Sequence, residues 1–401
     1  MHSAMKADTQ ERARGGDGPP LLLYAFRPMF LAAGSWAAIA LALWLAQFFG
    51  YLALPTRFDP MSWHIHEMFF GFVMAAVAGF LLTAIPNWTG RLPVRGTGLA
   101  LLAGLWLVGR LACLCSAELP GALAAAIDLA FPATLLAVAA REIVAGRNWR
   151  NLAMTAPLSI FLVADLLMHL ESLGANVPAG LGWRLAVAAP VILIAVIGGR
   201  IIPSFTRNWL AKQKSERLPA QAGRFDTLAV AVLVLAFTVW AFLPQAKAGG
   251  ALLIAAALLH AVRLARWAGL RSWPEKLLFV LHVGYGWLVL GTALLGLSAF
   301  DIGIPMPSAV HALTAGAIAV MILAVMPRVT LGHTGRMLTA GRATIAVFAL
   351  INAAALARVC ASWHAEWMSV LLLAAGAFWI AAFVLFELIY GPMLVSKRAA
   401  P

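Results

Sequence analysis

Residues 62–86 read SWHIHEMFFGFVMAAVAGFLLTAIP, twenty-five positions dominated by apolar side chains, with no Lys or Arg among them. A helix that crosses a bilayer needs about 20 mostly apolar residues, so this stretch predicts a membrane span. The same reading carried outward finds twelve such runs, at 28–50, 62–86, 97–117, 119–140, 152–173, 180–203, 225–244, 248–269, 275–297, 305–327, 338–361 and 366–393. The third and fourth form a tight hairpin around Glu118-Leu119-Pro120. Composition agrees. The 401-residue chain is 63% hydrophobic and 11% charged, with a mean hydropathy of +0.89, whereas soluble domains carry about a quarter charged residues. These values exclude a soluble enzyme, a disordered chain and a nucleic-acid-binding domain, despite a net charge of +13. The expected fold is an all-α polytopic membrane protein.

The positive charges give the orientation. Of the 29 Lys and Arg, 24 fall in or beside alternate loops and the chain ends; the other five are Arg57, Arg110, Arg184, Lys247 and Arg358. Cytoplasmic loops carry such an excess, so both termini are expected in the cytoplasm and the protein in a bacterial inner membrane, touching anionic lipid. Residues 1–24 and 395–401 are then cytoplasmic tails around a single membrane domain, 25–394. The charged N-terminus lacks the apolar core and cleavage site of a signal peptide. Cys113, Cys115 and Cys360 fall within predicted helices, where a cysteine is ordinarily a small packing residue.

Three predicted cytoplasmic helix ends read alike: Ile85-Pro86-Asn87-Trp88-Thr89, Ile202-Pro203-Ser204-Phe205-Thr206 and Met326-Pro327-Arg328-Val329-Thr330. They close the second, sixth and tenth spans. Pro and Thr are common where helices stop, but a match at every fourth helix points to a three-fold pseudo-repeat of four-helix groups.

Polar groups within the hydrocarbon are costly and tend to be functional, so each histidine is placed by depth. At 1.5 Å rise per residue, His66, His169 and His311 lie about 30, 27 and 24 Å from their cytoplasmic helix ends. With His64 they share the outer layer, whereas His260 and His282 belong to the inner third. Asp59-Pro60 reads as an N-cap followed by Pro at the first helical position, which makes both His64 and His66 helical and points them about 200° apart. His66 then faces Phe70 and Met74. One of the two suits a haem axial ligand, and the other serves a different centre or sits at the interface. His311 is the matching ligand on the tenth span, while His169 and His282 are further metal ligands, the latter beside Tyr285. Structural roles remain open for all of them. Arg110, Asp128 and Asp165 also lie in the outer third, where intramembrane charges usually pair; Arg110 alternatively holds a haem propionate.

The motifs YAFRPMF (24–30), WHIHEMFFG (63–71), GGRIIPSFTRN (198–208), LHVGY (281–285), HALTAGAI (311–318) and GHTGR (332–336) together resemble the NnrS family. The resemblance implies a haem- and copper-containing bacterial inner-membrane protein with twelve spans, associated with denitrification and resistance to nitric oxide. It supplies no catalytic mechanism. A weaker likeness is to the large subunit of haem-copper oxidases, with twelve spans in three arcs of four and a low-spin haem held by histidines of the second and tenth. Residues 180–203 and 225–244 contain no His, so the copper ligands of that catalytic centre are missing.

The expected function is therefore haem binding, with copper as a second metal, in nitric oxide metabolism or nitrosative-stress resistance. Axial ligands would be His311 with His64 or His66. Partners would be nitric oxide or nitrosylated metal centres, and a quinol or other electron-transfer partner. Any enzymatic step would be metal-centred oxidoreduction. Two rivals are a secondary transporter, which calls for interrupted helices, and a quinol-linked cytochrome without nitric oxide chemistry. Prolines 86, 203 and 327, expected at helix ends, weigh against the transporter.

Overall fold

In a bilayer the backbone has no water to bond, so apolar runs of this length close their hydrogen bonds internally as helices. The computed structural model describes residues 18–399, and every regular element among them is helical. The residues before 18, with Lys6, Arg12 and Arg14 of the expected cytoplasmic tail, lie outside the described residues, as do 400 and 401. Twelve helices are long and apolar enough to span a membrane: Phe26–Phe48, Pro60–Thr89, Thr97–Leu114, Gly121–Ala145, Trp149–Ser172, Leu181–Lys212, Arg224–Phe242, Lys247–Ala265, Lys276–Ser298, Met306–His333, Arg342–Ala361 and Ala365–Val395. The chain is a multi-pass membrane protein. Outward-facing Leu101, Leu258 and Leu388 are 65%, 65% and 69% exposed, as lipid-facing side chains are.

The second span starts as its sequence requires. Asp59 Oδ1 accepts from the Met61 and Ser62 amides at 3.0 and 3.1 Å, and Pro60 takes the first helical position. Partial burial pushes the Asp59 carboxyl up, but the hydrogen bonds from Ser62 and Met61 outweigh it and hold it below its ordinary range. Gly90, at φ 72°, ends the helix in the left-handed conformation that a side chain resists. The YAFRPMF motif joins the chain's two ends: Arg27, buried in the first span, donates to the Leu394 and Ser396 carbonyls at 2.8 and 2.7 Å. It thereby satisfies carbonyls that the last helix leaves open at its C-terminus.

Three spans differ from the rest. The second, sixth and tenth each contain a π-helical segment, at Glu67–Val73, Ile194–Gly198 and Ala312–Ile318. They are also the most enclosed, with 78%, 67% and 72% of their apolar windows buried against 39–56% elsewhere. The interval of four helices seen in the Pro-Thr motifs thus recurs in helix geometry and burial. Prolines 86, 203 and 327 do not end these helices, contrary to expectation. Each lies inside, and the helices continue to Thr89, Lys212 and His333. The following threonine back-bonds: Thr89 Oγ1 donates to the Ile85 carbonyl at 2.9 Å, and Thr206 Oγ1 to that of Ile202 at 2.8 Å. This hides the hydroxyl within its own helix, a habit that bends helices rather than ending them.

By packing, the described chain divides into two compact units, the first drawn from residues up to Ala186, Val329–Arg336 and Phe386 onward, the second from Val187–Arg328 and Met337–Leu385. Each contains its own buried polar network.

Candidate metal centre

The π-helical segment of the second span begins immediately after His66. A π turn carries an extra residue, and such insertions gather at functional sites. Here His66 and Glu67, adjacent in sequence, are both fully buried within one polar cluster. The third span contributes Arg110 and Cys113, the fourth Asp128, and the fifth Asp165 and His169, none more than 3% exposed.

The bonds within the cluster are dense. His66 Nδ1 lies 3.1 Å from Glu67 Oε1, and its Nε2 lies 2.9 Å from Asp165 Oδ1 and 3.0 Å from Asp128 Oδ2. His169 Nε2 reaches the same Asp128 oxygen at 3.0 Å. Arg110 Nη1 donates to both Glu67 oxygens at 3.0 Å, and its Nη2 donates to Asp128 Oδ1. Trp36 Nε1 donates to Glu67 Oε2 at 2.7 Å. Phe58 stacks on His66 with ring centroids 4.8 Å apart, closing one side with an apolar face. Two glycines permit the approach: a methyl group at Gly71 would overlap the Trp36 indole, and one at Gly109 would press on Asp128 Oδ1.

Three carboxylates face one guanidinium, and both His66 ring nitrogens lie within hydrogen-bonding distance of carboxylate oxygens. Buried acids in such excess over basic side chains are held only with protons or a cation to neutralise them. His66, Cys113, Asp128 and His169 each present a ligand atom, all within 4.8 Å of one another. Asp165 Oδ2 and Arg110 Nε are buried without a hydrogen-bond partner. A buried carboxylate oxygen with an unmet lone pair beside a gathered donor set suits a cation.

Comparison with known families agrees with the motifs. The NnrS protein family model matches residues 20–398, nearly the whole chain. The chain belongs to the NnrS family. No curated protein matches it.

Within this NnrS-family chain the expected site residues separate. His66 and His169 meet in the cluster, with ring centroids 5.2 Å apart. Arg110 is committed to Glu67 and Asp128, the mutual neutralisation expected of intramembrane charges, so its guanidinium ends are not available to a propionate. His64 points elsewhere, as the helical spacing required, and stacks on Trp44 at 4.1 Å. His311, in the second unit, lies in the first turns of the tenth span and donates from Nδ1 to the Pro307 carbonyl at 2.8 Å. His282 bonds the Leu278 carbonyl and the Thr206 hydroxyl, both at 3.2 Å. It is a hydrogen-bonded, buried histidine, and its bonds go to these two groups rather than to Tyr285. The Tyr285 hydroxyl instead lies 2.6 Å from His260 Nδ1, because the eighth span, not the preceding turn of the ninth, packs against it.

Glu67 and Cys113 escaped the sequence reading as site residues. Glu67 was legible as an acid inside an apolar run beside His66. Cys113 was legible only as the residue one turn after Arg110 on the same helix face.

Proposed function

We propose that this protein holds a transition-metal ion in the His66–Cys113–Asp128–His169 cluster and, at a second site, a haem, and that it acts in the nitric oxide response of a bacterial inner membrane. The observation that carries the metal reading is the buried donor set, four ligand atoms within 4.8 Å of one another. Two imidazoles, a thiol and carboxylates suit a divalent first-row metal, and copper stands highest in affinity for such donors. Copper is also the metal implied by the NnrS resemblance. Arg110 and Trp36 hold Glu67, and Glu67 in turn orients the His66 ring through Nδ1, as outer partners of metal-bound imidazoles do.

For the haem, His311 has its Nδ1–H bonded to the Pro307 carbonyl. That fixes the tautomer with the lone pair on Nε2, the arrangement of an iron-ligating imidazole. A bound haem iron supplies nitric oxide binding and one-electron exchange. The protein's own residues orient it and exclude water. Twenty-four of 29 basic residues in alternate loops support cytoplasmic termini. Nitric oxide or nitrosylated metal centres, with a quinol-linked electron donor, are the partners this reading requires.

One observation favours a second reading. The second, sixth and tenth spans each combine an internal proline with a π segment, a local irregularity milder than the broken helices of a transporter but at spans related by the same interval. Metal analysis and absorption spectra of detergent-purified protein, with and without nitric oxide, discriminate. Bound copper and a haem band that shifts with nitric oxide, lost in His311→Ala, support the first reading. A colourless, metal-free protein with saturable cation-coupled uptake in vesicles overturns it.

A further inference from the structure

The second unit encloses a different network, in which every hydrogen bond has one possible direction. His260 of the eighth span is fully buried, with Nε2 3.1 Å from the Ala229 carbonyl and Nδ1 2.6 Å from Tyr285 Oη. A carbonyl only accepts, so Nε2 carries the ring proton and Nδ1 of the neutral ring presents its lone pair to the tyrosine. Arg263 Nη1 donates to the same Tyr285 oxygen at 3.0 Å and to the Ala195 carbonyl at 2.7 Å. A guanidinium has no acceptor, so the phenol proton has one destination, the Nδ1 of His260.

The surroundings suit a proton that moves. Tyr285 is fully buried, so no bulk water competes for it. Asp226 Oδ1 accepts from Arg263 Nε at 2.9 Å and offsets the guanidinium charge that an imidazolium would otherwise face. The Trp267 ring packs edge-on against Tyr285 at 4.5 Å, and the Arg263 guanidinium lies 5.5 Å from the same indole. Gly199 leaves room for that guanidinium, which a methyl group there would overlap. The remaining neighbour with a titratable ring, His282, is held by Leu278 and Thr206 and makes no bond to Tyr285.

We propose that Tyr285 and His260 form a proton-coupled electron-transfer pair, a redox site within the membrane domain that is separate from the metal cluster and does not depend on it. The oxidant is a high-potential one-electron acceptor of the transition-metal-complex class. One electron leaves the Tyr285 phenol for that metal, which is reduced by one unit. The O–H bond breaks as its proton forms an N–H bond at His260 Nδ1. The products are a neutral tyrosyl radical, still bonded to Arg263, and an imidazolium still bonded to Ala229. Return of one electron and that same proton restores the resting pair.

The test uses the full chain in detergent and photogenerated tris(bipyridine)ruthenium(III) as the oxidant, read by electron paramagnetic resonance and transient absorption. The chain has four tyrosines, so Tyr285→Phe identifies the signal. The expected result is a tyrosyl radical that Tyr285→Phe abolishes and that forms about 100-fold more slowly in His260→Ala, the lower range for loss of a positioned proton acceptor. Should His260→Ala fail to fold, the unaltered protein labelled with nitrogen-15 histidine gives the second readout. There the radical shows a hyperfine coupling to one imidazole nitrogen. A signal unchanged in Tyr285→Phe, a wild-type formation rate in His260→Ala, or a radical without imidazole coupling overturns the proposal and leaves the pair a packing contact.

Discussion

The two buried networks contain similar residue types and are built on opposite principles. In the cluster of the first unit, Glu67, Asp128 and Asp165 outnumber Arg110, and Arg110 Nε and Asp165 Oδ2 are buried without a hydrogen-bond partner. In the second, Arg263 and Asp226 are paired, Arg266 Nη1 lies 3.6 Å from the same aspartate, and His260 and Tyr285 satisfy each other. The first gathers ligand atoms with unmet hydrogen-bonding capacity, so it suits an added cation. The second meets its hydrogen bonds among its own residues, so a proton released by Tyr285 has His260 to go to. Burial and residue type alone do not separate a ligand site from a relay; the count of unmet charges and donors does.

The largest expected effect breaks the charge balance. Arg110→Met leaves Glu67 and Asp128 facing each other without their cation, and removing one partner of a buried pair costs about 3–5 kcal/mol. Arg263→Met costs less, because Asp226 is one carboxylate and Arg266 remains beside it. Thermal unfolding in detergent should rank Arg110→Met clearly below Arg263→Met; equal losses would remove the contrast between the two networks. Next, His169→Ala lowers metal affinity by more than about 100-fold, beyond the range for outer partners of a ligand, whereas His282→Ala leaves metal content unchanged. Competition with a chelator measures both.

Smaller effects sharpen the geometry. Gly109→Ala forces a methyl group onto Asp128 and costs about 1–3 kcal/mol, while Gly104→Ala on the same helix meets open space and stabilises by up to about 1 kcal/mol. Outside the membrane, Asp59→Ala removes the cap of the second span for about 1 kcal/mol. The Asp59 carboxyl is held below its ordinary range, so its stabilisation is present above the unfolded value and is lost as pH falls through the folded one. Wild type and Asp59→Ala are therefore expected to differ at neutral pH and to converge below about pH 4.

The fold was legible because bilayer thickness imposes a length on apolar runs. All twelve expected runs correspond to helices, and the Asp59-Pro60 start occurs as read. The continuation of helices past Pro86, Pro203 and Pro327 was not legible, because a proline near a helix end reads the same whether the helix stops there or runs on for another turn or more. At the site, helical spacing correctly separated His64 from His66. The company His66 keeps was only half visible. Arg110, Asp128 and Asp165 shared its depth, but which helices pack against the second span is tertiary information. The same limit hid the partner of Tyr285, which lies on a neighbouring helix rather than one turn away.

The most direct test of the account is the metal content of the purified protein, with its electronic spectrum, compared with that of a His66→Ala/His169→Ala double variant. The expected result is a single divalent transition-metal ion per chain, lost in the double variant while bound haem is retained. A wild-type protein purified without metal that takes up none on titration, or a double variant that keeps its full metal content, would contradict it.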